Sequence, residues 1–412
     1  MEKMKIMIKN TNLNFRLILG GLFFFLSACG PIANSEEVTE KDGVITIKID
    51  VDNLREASLS EFFEPEIDYL LLKESEDPGS QIGEIAKLIE YKDMIFVFDW
   101  WIGKSVQMFD RQGNFIHRIR NLGDGLGKYI ELADLQVVQD TVYLLAHPLK
   151  IIKFDLEGNF LDEFKIPVTG RTFHYDTDRK SFFVYHGSDA ENLVSEINHA
   201  GMVLGSFFPR NPSIFYGIMS DPVNFYTYEN GFYFTRTYTD TLYTFNQNSF
   251  EPLMVFDFGK LAMDHTRMIE KKLELDNRAF SDYFKENSGS SYAPYGFSNS
   301  KYILSRLRMP GFGAVSIFDK INKKHHLVKF DLRNDIDESF NFYPPVYQLQ
   351  ENRVAIAYRG PSLYNKAVEK KQTMSEQEWQ DYQQGKGKDF IEAAFYGKET
   401  ENYVLMILKT KK

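Results

Sequence analysis

A repeat with a period in the forties constrains this chain more than any other feature. The segment Phe109–Phe115 reads Phe-Asp-Arg-Gln-Gly-Asn-Phe, and Phe154–Phe160 reads Phe-Asp-Leu-Glu-Gly-Asn-Phe 45 residues later. Gly-Asn pairs tolerate the positive φ angles that tight hairpins need, and apolar residues alternate in the flanking segments, as they do in strands. Weaker copies of the marker follow at Ile197, Phe245, Phe318 and Ile407.

Six markers at this spacing predict an all-β fold, a six-bladed β-propeller with four short strands in each blade. A unit of this size cannot bury both of its faces alone, so neighbouring units must pack and the ring must close. A β-sandwich or barrel with the same number of strands is the alternative. The regular spacing favours the propeller over it.

The two ends of the chain are predicted to meet in the last blade. The final unit offers strands near residues 346–350, 353–358 and 403–408, and its fourth strand is missing. Ile67–Leu72 is apolar and lies before the first complete unit, so it is expected to supply that strand and to remove an exposed edge. Val44–Val51, with its alternating isoleucines, is expected to add a further strand at the same seam.

Two long intervals between markers predict helical insertions, at about residues 259–290 and 360–400 of the chain. Residues 262–286 have helical composition, and Ser375 with Glu378 has the spacing of a capping box. In a propeller both insertions would emerge on the face that carries the loops between second and third strands, here called the top face. They would form a wall over a central pocket or shield the edges of blades.

The N-terminus carries the pattern of a secretory signal. A basic segment precedes the apolar run Leu17–Leu26, and small residues lead to Cys29, the single cysteine of the chain. A cysteine at this position is typical of bacterial lipoprotein signals. We therefore predict a signal peptide over residues 1–28, acylation of Cys29, a flexible tether over 29–42 and the propeller over 43–412. The protein would be anchored by its lipid to the outer membrane, on the periplasmic or the surface side.

Charge and composition exclude several functions. Removing residues 1–28 takes away four basic residues and one acidic one, which changes the formal net charge from −10 to −13. An acidic chain without a basic stripe argues against nucleic acid and against a polybasic contact with lipid headgroups. The eight histidines show no metal-ligand spacing, and no Gly-x-Ser-x-Gly marks a nucleophile. We predict no metal, no cofactor and no catalytic residue.

Several segments carry a family resemblance. They are Lys104–Gly113, the glycine-rich loop Gly123–Tyr129, Asp240–Tyr243 and Asn402–Ile407. With them the chain resembles the six-bladed β-propeller lipoproteins of Bacteroidota, a largely undefined family related to NHL-type propellers. It departs from the family pattern at Leu126, Lys128 and Tyr403. The resemblance implies a fold and a cell-envelope location, and it brings no catalytic residues with it.

Candidate ligand-binding residues follow the second strands of the predicted blades. The arginine fork suits carboxylate, phosphate or sulfate, and tryptophan can stack on a sugar or an aromatic ring. The alternative is that each arginine pairs with an acidic residue of the next blade. The five candidates, all expected on the top face, are Asp99, Trp100, Arg236, Arg306 and Arg359, and His147 and His186 occupy equivalent positions.

Two hypotheses of function follow. The favoured one is a monomeric, membrane-anchored, non-catalytic binding protein for a glycan, a peptide or an envelope protein. The other is a propeller hydrolase or lyase that acts on glycans or peptides. An enzyme should place two or three carboxylates or histidines together in the central pocket, which discriminates between the two.

Overall fold

A computed structural model describes residues 37–187, 190–216, 223–228, 231–236, 238–343 and 345–411, with the side chains of Tyr228 and of residues 293–295 left out. The predicted signal peptide, Cys29 and the first part of the tether lie outside the described residues. No helix within the described ranges is long and apolar enough to cross a bilayer.

The all-β prediction is confirmed, because the described chain forms six small sheets. The N-terminal segment contains β1 (Val38–Lys41), β2 (Val44–Lys48), the short helix α1 (Leu59–Phe62) and β3 (Phe63–Leu71). The first sheet consists of β4 (Lys87–Tyr91), β5 (Met94–Asp99), β6 (Ser105–Asp110) and β7 (Phe115–Ile119). The second consists of β8 (Glu131–Val138), β9 (Thr141–His147), β10 (Lys150–Phe154) and β11 (Phe160–Lys165). The third consists of β12 (Thr172–Asp176), β13 (Ser181–Tyr185), β14 (Asn192–Asn198) and β15 (Val203–Pro209).

The remaining sheets receive strands from both ends of the chain. The fourth contains β16 (Phe225–Tyr228), β17 (Gly231–Phe234), β18 (Thr241–Asn246) and β19 (Ser249–Asp257), extended by β2 and β1. The fifth consists of β20 (Ser291–Ser298), β21 (Tyr302–Met309), β22 (Phe312–Asp319) and β23 (Lys324–Lys329). The sixth contains β24 (Tyr347–Gln348), β25 (Arg353–Arg359) and β26 (Tyr403–Thr410), followed by β3.

The repeated motif forms the hairpin between the third and fourth strands of a sheet. The Asp110 carboxylate accepts hydrogen bonds from the backbone N–H groups of Gln112 and Asn114, and it also accepts one from the Asn114 side chain. Gly113 has φ 75°, which is a left-handed conformation that favours glycine. Asp155, Gly158 and Asn159 build the equivalent hairpin in the second sheet. Aspartate, glycine and asparagine recur because each supplies one part of this turn.

The first strands of the six sheets contact one another in a cycle. Strand β4 contacts β8, and the contacts continue through β12, β16, β20 and β24 back to β4. Six apolar clusters fill the spaces between consecutive sheets, including the space between the sixth sheet and the first. In β5, for example, Ile95 and Val97 face the sixth sheet, and Phe96 and Phe98 face the second. Both faces of the sheet are thus buried, which explains the nearly continuous apolar run of this strand.

The predicted closure of the last sheet is confirmed. Strand β3 pairs antiparallel with β26, with Leu70 opposite Leu405 and Asp68 opposite Ile407. Strand β26 therefore lies between β25 and β3, and the N-terminal segment supplies the fourth strand of the sixth sheet.

The prediction for Val44–Val51 is wrong. Strand β2 pairs in parallel with β19, so it extends the fourth sheet and does not reach the seam of the sixth. The reason is packing, because Ile45, Ile47 and Ile49 are buried with Met254 and Phe256 in the cluster between the fourth and fifth sheets. Two side-chain pairs join β1 and the residue before it to β23 and the residue before that strand. They are Glu37 with His325 at 2.6 Å and Glu40 with Lys323 at 3.1 Å.

Both segments predicted as insertions contain helices. Helices α2 (His265–Glu274) and α3 (Asn277–Asn287) lie between β19 and β20, and α4 (Gly360–Gln372), α5 (Glu376–Gln384) and α6 (Lys388–Gly397) lie between β25 and β26. Ser375 caps α5 and forms the expected capping box with Glu378. Trp379 and Phe390 pack with Tyr69 of β3 and Tyr358 of β25, so this insertion lies against the sixth sheet.

Candidate functional site

Asp99 organises the loop between β5 and β6. Its side chain is fully buried. One carboxylate oxygen accepts hydrogen bonds from the backbone N–H groups of Gly83 (2.8 Å) and Glu84 (3.1 Å). The other accepts from Ile102 (3.1 Å) and Gly103 (2.7 Å). Asp99, predicted as a ligand contact, is therefore enclosed by four backbone donors and holds the loop in place.

The next three residues project from this loop. Trp100 is 41% exposed, Trp101 66% and Ile102 62%. The Trp101 backbone N–H donates to Glu84 Oε1 at 3.1 Å, which adds a further hold on the turn. Burial and the neighbouring Asp99 raise the pKa of the Glu84 carboxyl. Large apolar side chains are thus presented to solvent by a loop whose backbone is fixed.

Two further loops adjoin this one. The Tyr129 hydroxyl donates to the Lys104 carbonyl at 2.8 Å, and Arg120 Nε donates to the Gly103 carbonyl at 3.0 Å, so the β7–β8 connection is tied to the β5–β6 loop. The Ile130 N–H donates to the His147 carbonyl, which joins the β9–β10 loop. The exposed apolar residues of the three loops, here called the apolar loop surface, are Trp100, Trp101, Ile102, Leu122, Leu126, Ile130 and Leu149.

Arg359 ends β25, as predicted, and its guanidinium is engaged by backbone carbonyls. It donates to Ile82 at 3.0 Å, to Glu401 at 2.9 Å and also to Gly83. The guanidinium carbon lies 4.2 Å from the centre of the Tyr403 ring. Arg359 thus joins the sixth sheet to the segment before the first sheet. The acceptors of these hydrogen bonds are backbone carbonyls, whereas the alternative prediction was an acidic side chain of the next blade.

Arg236 and Arg306 stack on different aromatic rings. The guanidinium carbon of Arg236 lies 4.8 Å from the Tyr216 ring centre, and that of Arg306 lies 4.6 Å from the Phe330 ring centre. Arg236 follows β17, whereas Arg306 lies inside β21, opposite Val315, and does not end the strand as predicted. Of the five predicted residues, Asp99 and Arg359 both form hydrogen bonds with the segment Ile82–Glu84. Trp100 follows Asp99 in the β5–β6 loop.

The two histidines at equivalent positions differ in their contacts. His186 is buried, with Nδ1 at 2.8 Å from the Thr169 carbonyl oxygen and Nε2 at 2.9 Å from Ser195 Oγ. Burial lowers its pKa. His147 ends β9 and is half-buried, and burial lowers its pKa as well. Within the described residues, no group of three or more histidines, cysteines or carboxylates could hold a metal ion.

A cavity of about 390 Å³ lies among the first strands of the sheets. None of the five predicted residues and no residue of α2–α6 lines it, so the described helices do not form the expected wall. This polar lining was not predicted from the sequence. Its signal in the sequence is that polar residues recur within the first strands of successive units. They include Lys87, Glu90, Gln136, His174, Tyr226 and Gln348.

The charged groups of this cavity are paired. Lys87 Nζ donates to Asp134 Oδ1 and to the Leu135 carbonyl, both at 2.8 Å. Burial raises the pKa of Asp134, although Lys87 acts in the opposite direction. Glu90 accepts from Arg353 at 2.7 Å and from the Gln350 backbone N–H at 2.9 Å. Both anions are therefore held by local cations.

His174 is the histidine in the cavity wall. Its ring centre lies 4.2 Å from that of Phe232, and its Nδ1 lies 3.5 Å from Gln136 Nε2. Burial, assisted by the charge of Lys87, lowers the pKa of His174 to about 3. The imidazole is consequently neutral at physiological pH.

A smaller pocket of about 240 Å³ adjoins the cavity and shares Thr227, Gln348, Leu349 and Gln350 with it. Its other lining residues include Asn299 and Asn352, which lie in hairpins between first and second strands. Strand β24 has only two residues, so the sixth sheet forms a short wall beside this smaller pocket. The cavity thus adjoins a pocket at the end of the sheets that carries the hairpins between first and second strands.

Comparison with known proteins places the chain in a family. A family model described as "Domain of unknown function (DUF4934)" matches residues 43–409, so the chain belongs to this family. A crystal structure of a "Putative exported protein" from Bacteroides fragilis NCTC 9343 superposes with a TM-score of 0.68. It is 12% identical, and the match covers 90% of this chain and 100% of that one. At this identity the likeness shows a shared fold.

Two other solved structures are more distant. BamB from Moraxella catarrhalis matches with a TM-score of 0.38 and 6% identity, over 65% of this chain and 71% of that one. A protein of unknown function from Bacteroides thetaiotaomicron matches with a TM-score of 0.29 and 11% identity, over 39% and 44% of the chains. No curated protein matches the chain.

Proposed function

We propose that the chain is a monomeric, lipid-anchored protein of the cell envelope, built as a six-bladed β-propeller, and that it acts as a non-catalytic binding protein. The cyclic contacts of the first strands, the six apolar clusters and the pairing of β3 with β26 support the propeller. The position of Cys29 behind an apolar run supports the anchor, and the similar fold of an exported Bacteroides protein agrees with the location.

The apolar loop surface carries the proposal of binding. Exposed tryptophans on a fixed backbone lose little conformational freedom on binding, and tryptophan is enriched among residues that dominate interface energies. Exposed apolar residues that gather on adjoining loops are typical of an interaction site. Trp100, Trp101 and Ile102 would contact another protein of the envelope, while Asp99 and Arg359 hold their loop in position. Arg236 and Arg306 are half-buried and stack on Tyr216 and Phe330, outside the three loops, so the proposed surface does not depend on them.

The cavity supports binding over the hydrolase or lyase alternative. Among the described residues that line it, Glu90 is the carboxylate and His174 the histidine. Glu90 is neutralised by Arg353, and His174 packs against Phe232. A general acid or base must reach its substrate with a suitable pKa. Glu90 is held by its ion pair with Arg353, and burial lowers the pKa of His174 to about 3.

Site-specific photocrosslinking in cells tests the surface. A photoreactive residue at position 101 should form an adduct of one discrete mass, and a residue at position 126 should capture the same protein. Position 273 is the matched control, because Leu273 is 85% exposed on α2, outside the surface. A Trp100→Ala background should reduce the adduct at 126 by about tenfold, which corresponds to about 1.4 kcal/mol. Equal adducts from positions 101 and 273 would refute the proposed surface.

The anchor has its own test. A Cys29→Ala variant should lose incorporation of labelled fatty acid and move from the membrane fraction to the soluble fraction. A Cys29→Ala protein that stays in the membrane fraction with its label would contradict the lipid anchor and leave the binding surface unaffected.

A further inference from the structure

The central cavity has the size of a site for a small molecule. Ligand sites in proteins occupy about 300–1,000 Å³ and combine apolar walls with a few placed polar groups. The cavity, of about 390 Å³, has both, with Phe173 and Phe225 among its apolar residues and Gln136 and Gln348 among its polar ones. It lies away from the apolar loop surface and does not depend on the function proposed for that surface.

The wall of the cavity is electrically balanced. Lys87 is neutralised by Asp134 and Glu90 by Arg353, each pair with a separation below 3 Å. His174 is neutral because burial lowers its pKa to about 3. A charged ligand would lose its hydration without gaining a counterion, and burial of an unpaired charge is strongly unfavourable. The wall therefore selects an uncharged ligand.

The polar groups that remain suit hydroxyl groups. The Gln348 carbonyl oxygen accepts from the Ser298 N–H at 3.2 Å, and Nε2 donates to the Thr227 carbonyl at 3.4 Å. A side-chain amide has two donor hydrogens and two acceptor lone pairs, so these contacts use half of its capacity. Lys87 likewise uses two of its three donors on Asp134 and Leu135. A hydroxyl both donates and accepts, and it matches such amide groups.

Aromatic rings supply the complementary apolar surface. Phe173, Phe225, Tyr226 and Tyr347 all line the cavity, and they come from the third, fourth and sixth sheets. The apolar C–H faces of a sugar ring pack well against aromatic rings, while its hydroxyls meet the amide groups. An aliphatic ligand would displace water from these amides without replacing its hydrogen bonds, which costs free energy.

We infer that the central cavity is a binding site for a neutral carbohydrate of one or two sugar rings, which enters beside Gln348 through the adjoining pocket. Gln136, Gln348 and Gln350 contact the hydroxyls, and the half-buried rings of Tyr226 and Tyr347 contact the ring faces. The paired charges exclude acidic and amino sugars.

Isothermal titration of the mature protein tests this site. The probes are cellobiose, maltose and lactose, with glucuronic acid and glucosamine disaccharides as charged counterparts. At least one neutral disaccharide should bind, and the charged counterparts of the same linkage should bind at least tenfold more weakly. Equal or tighter binding of a charged sugar overturns the inference, as does a failure of all neutral probes at millimolar concentration or binding of a neutral tripeptide in their place.

Two variants locate the site. Gln348→Ala should weaken binding about tenfold, and Gln112→Ala is the matched control, because Gln112 is exposed in a hairpin of the first sheet. Thr227 lines both the cavity and the adjoining pocket, so Thr227→Trp should block the passage between them. The substitution keeps the backbone carbonyl that accepts from Gln348. Circular dichroism and thermal melting establish that each variant is folded. Unchanged affinity in both folded variants would place the sugar elsewhere and overturn the inference, while Trp100→Ala should leave sugar binding intact.

Discussion

At the scale of single residues, Asp99 and Arg359 hold loops in place by binding backbone groups, and the sequence around them does not reveal this role. Asp99 and Arg359 look like ligand contacts because both end second strands. The structure shows instead that both bind backbone groups of Ile82–Glu84. A hypothetical Cβ on Gly83 or Gly103 would lie within 2.7 Å of Asp99 Oδ2, so glycine at both positions allows the carboxylate to be enclosed.

Asp99→Ala should destabilise the protein by about 2–4 kcal/mol, because four backbone donors lose a charged acceptor. Urea unfolding measures the change. Asp93→Ala is the control, since its side chain is 90% exposed and its 3.4 Å pair with Arg111 is expected to contribute less than about 1 kcal/mol. The Asp99→Ala protein, if folded, should also lose the crosslink at position 101. A stability equal to that of Asp93→Ala would show that Asp99 does not hold the loop.

At the scale of elements, the three N-terminal strands have two different roles. Strand β3 completes the sixth sheet, whereas β1 and β2 are added to the outer edge of the fourth. Sequence reasoning places β3 correctly because the last unit visibly lacks a strand. It misplaces β2 because the isoleucine alternation shows that a strand buries one face and does not show which open edge it joins.

Removal of these strands should have graded effects. A chain that begins at residue 37 should match the full mature protein in stability. A chain that begins at residue 50 exposes the apolar contacts of Ile45, Ile47 and Ile49 and should lose about 3–5 kcal/mol, after the cost of ordering the strands is deducted. A chain that begins at residue 73 leaves an edge of β26 open and should fail to fold. Native-like urea unfolding of this last chain would contradict the role of β3.

The same limits apply to the other elements. The hairpins are predictable because their Asp, Gly and Asn residues act within five positions of one another. The helices are predictable because Ser375 and Glu378 act locally too. The cavity is not, since its lining joins residues from the first strands of different sheets, and the partners that neutralise Lys87 and Glu90 lie 47 and 263 residues away.

At the scale of the whole molecule, the α4–α6 insertion and the sheets are expected to unfold together. Trp379 is 5% exposed in α5, within a cluster that includes residues of β3 and β25. The other two tryptophans are Trp100 and Trp101, so a Trp100→Phe, Trp101→Phe variant has Trp379 as its single fluorescent reporter.

In this double variant, Trp379 fluorescence and far-ultraviolet circular dichroism should follow one coincident urea transition, as for a cooperative unit. The two single tryptophan variants serve as controls for the effect of each substitution on stability. A fluorescence transition at clearly lower urea concentration would show that the insertion is an independent module.

The central position of β26 in its sheet has a consequence for biosynthesis. A ribosome delivers Phe63–Leu71 long before Tyr403–Thr410, and the first of these segments lacks its strand partner until the second arrives. An exported chain would therefore carry an unpaired strand edge while the sheets between these two segments are made. Assembly factors that shield strand edges would need to cover Phe63–Leu71 until its partner is made, and a chain that ends before Tyr403 would keep that edge open to aggregation.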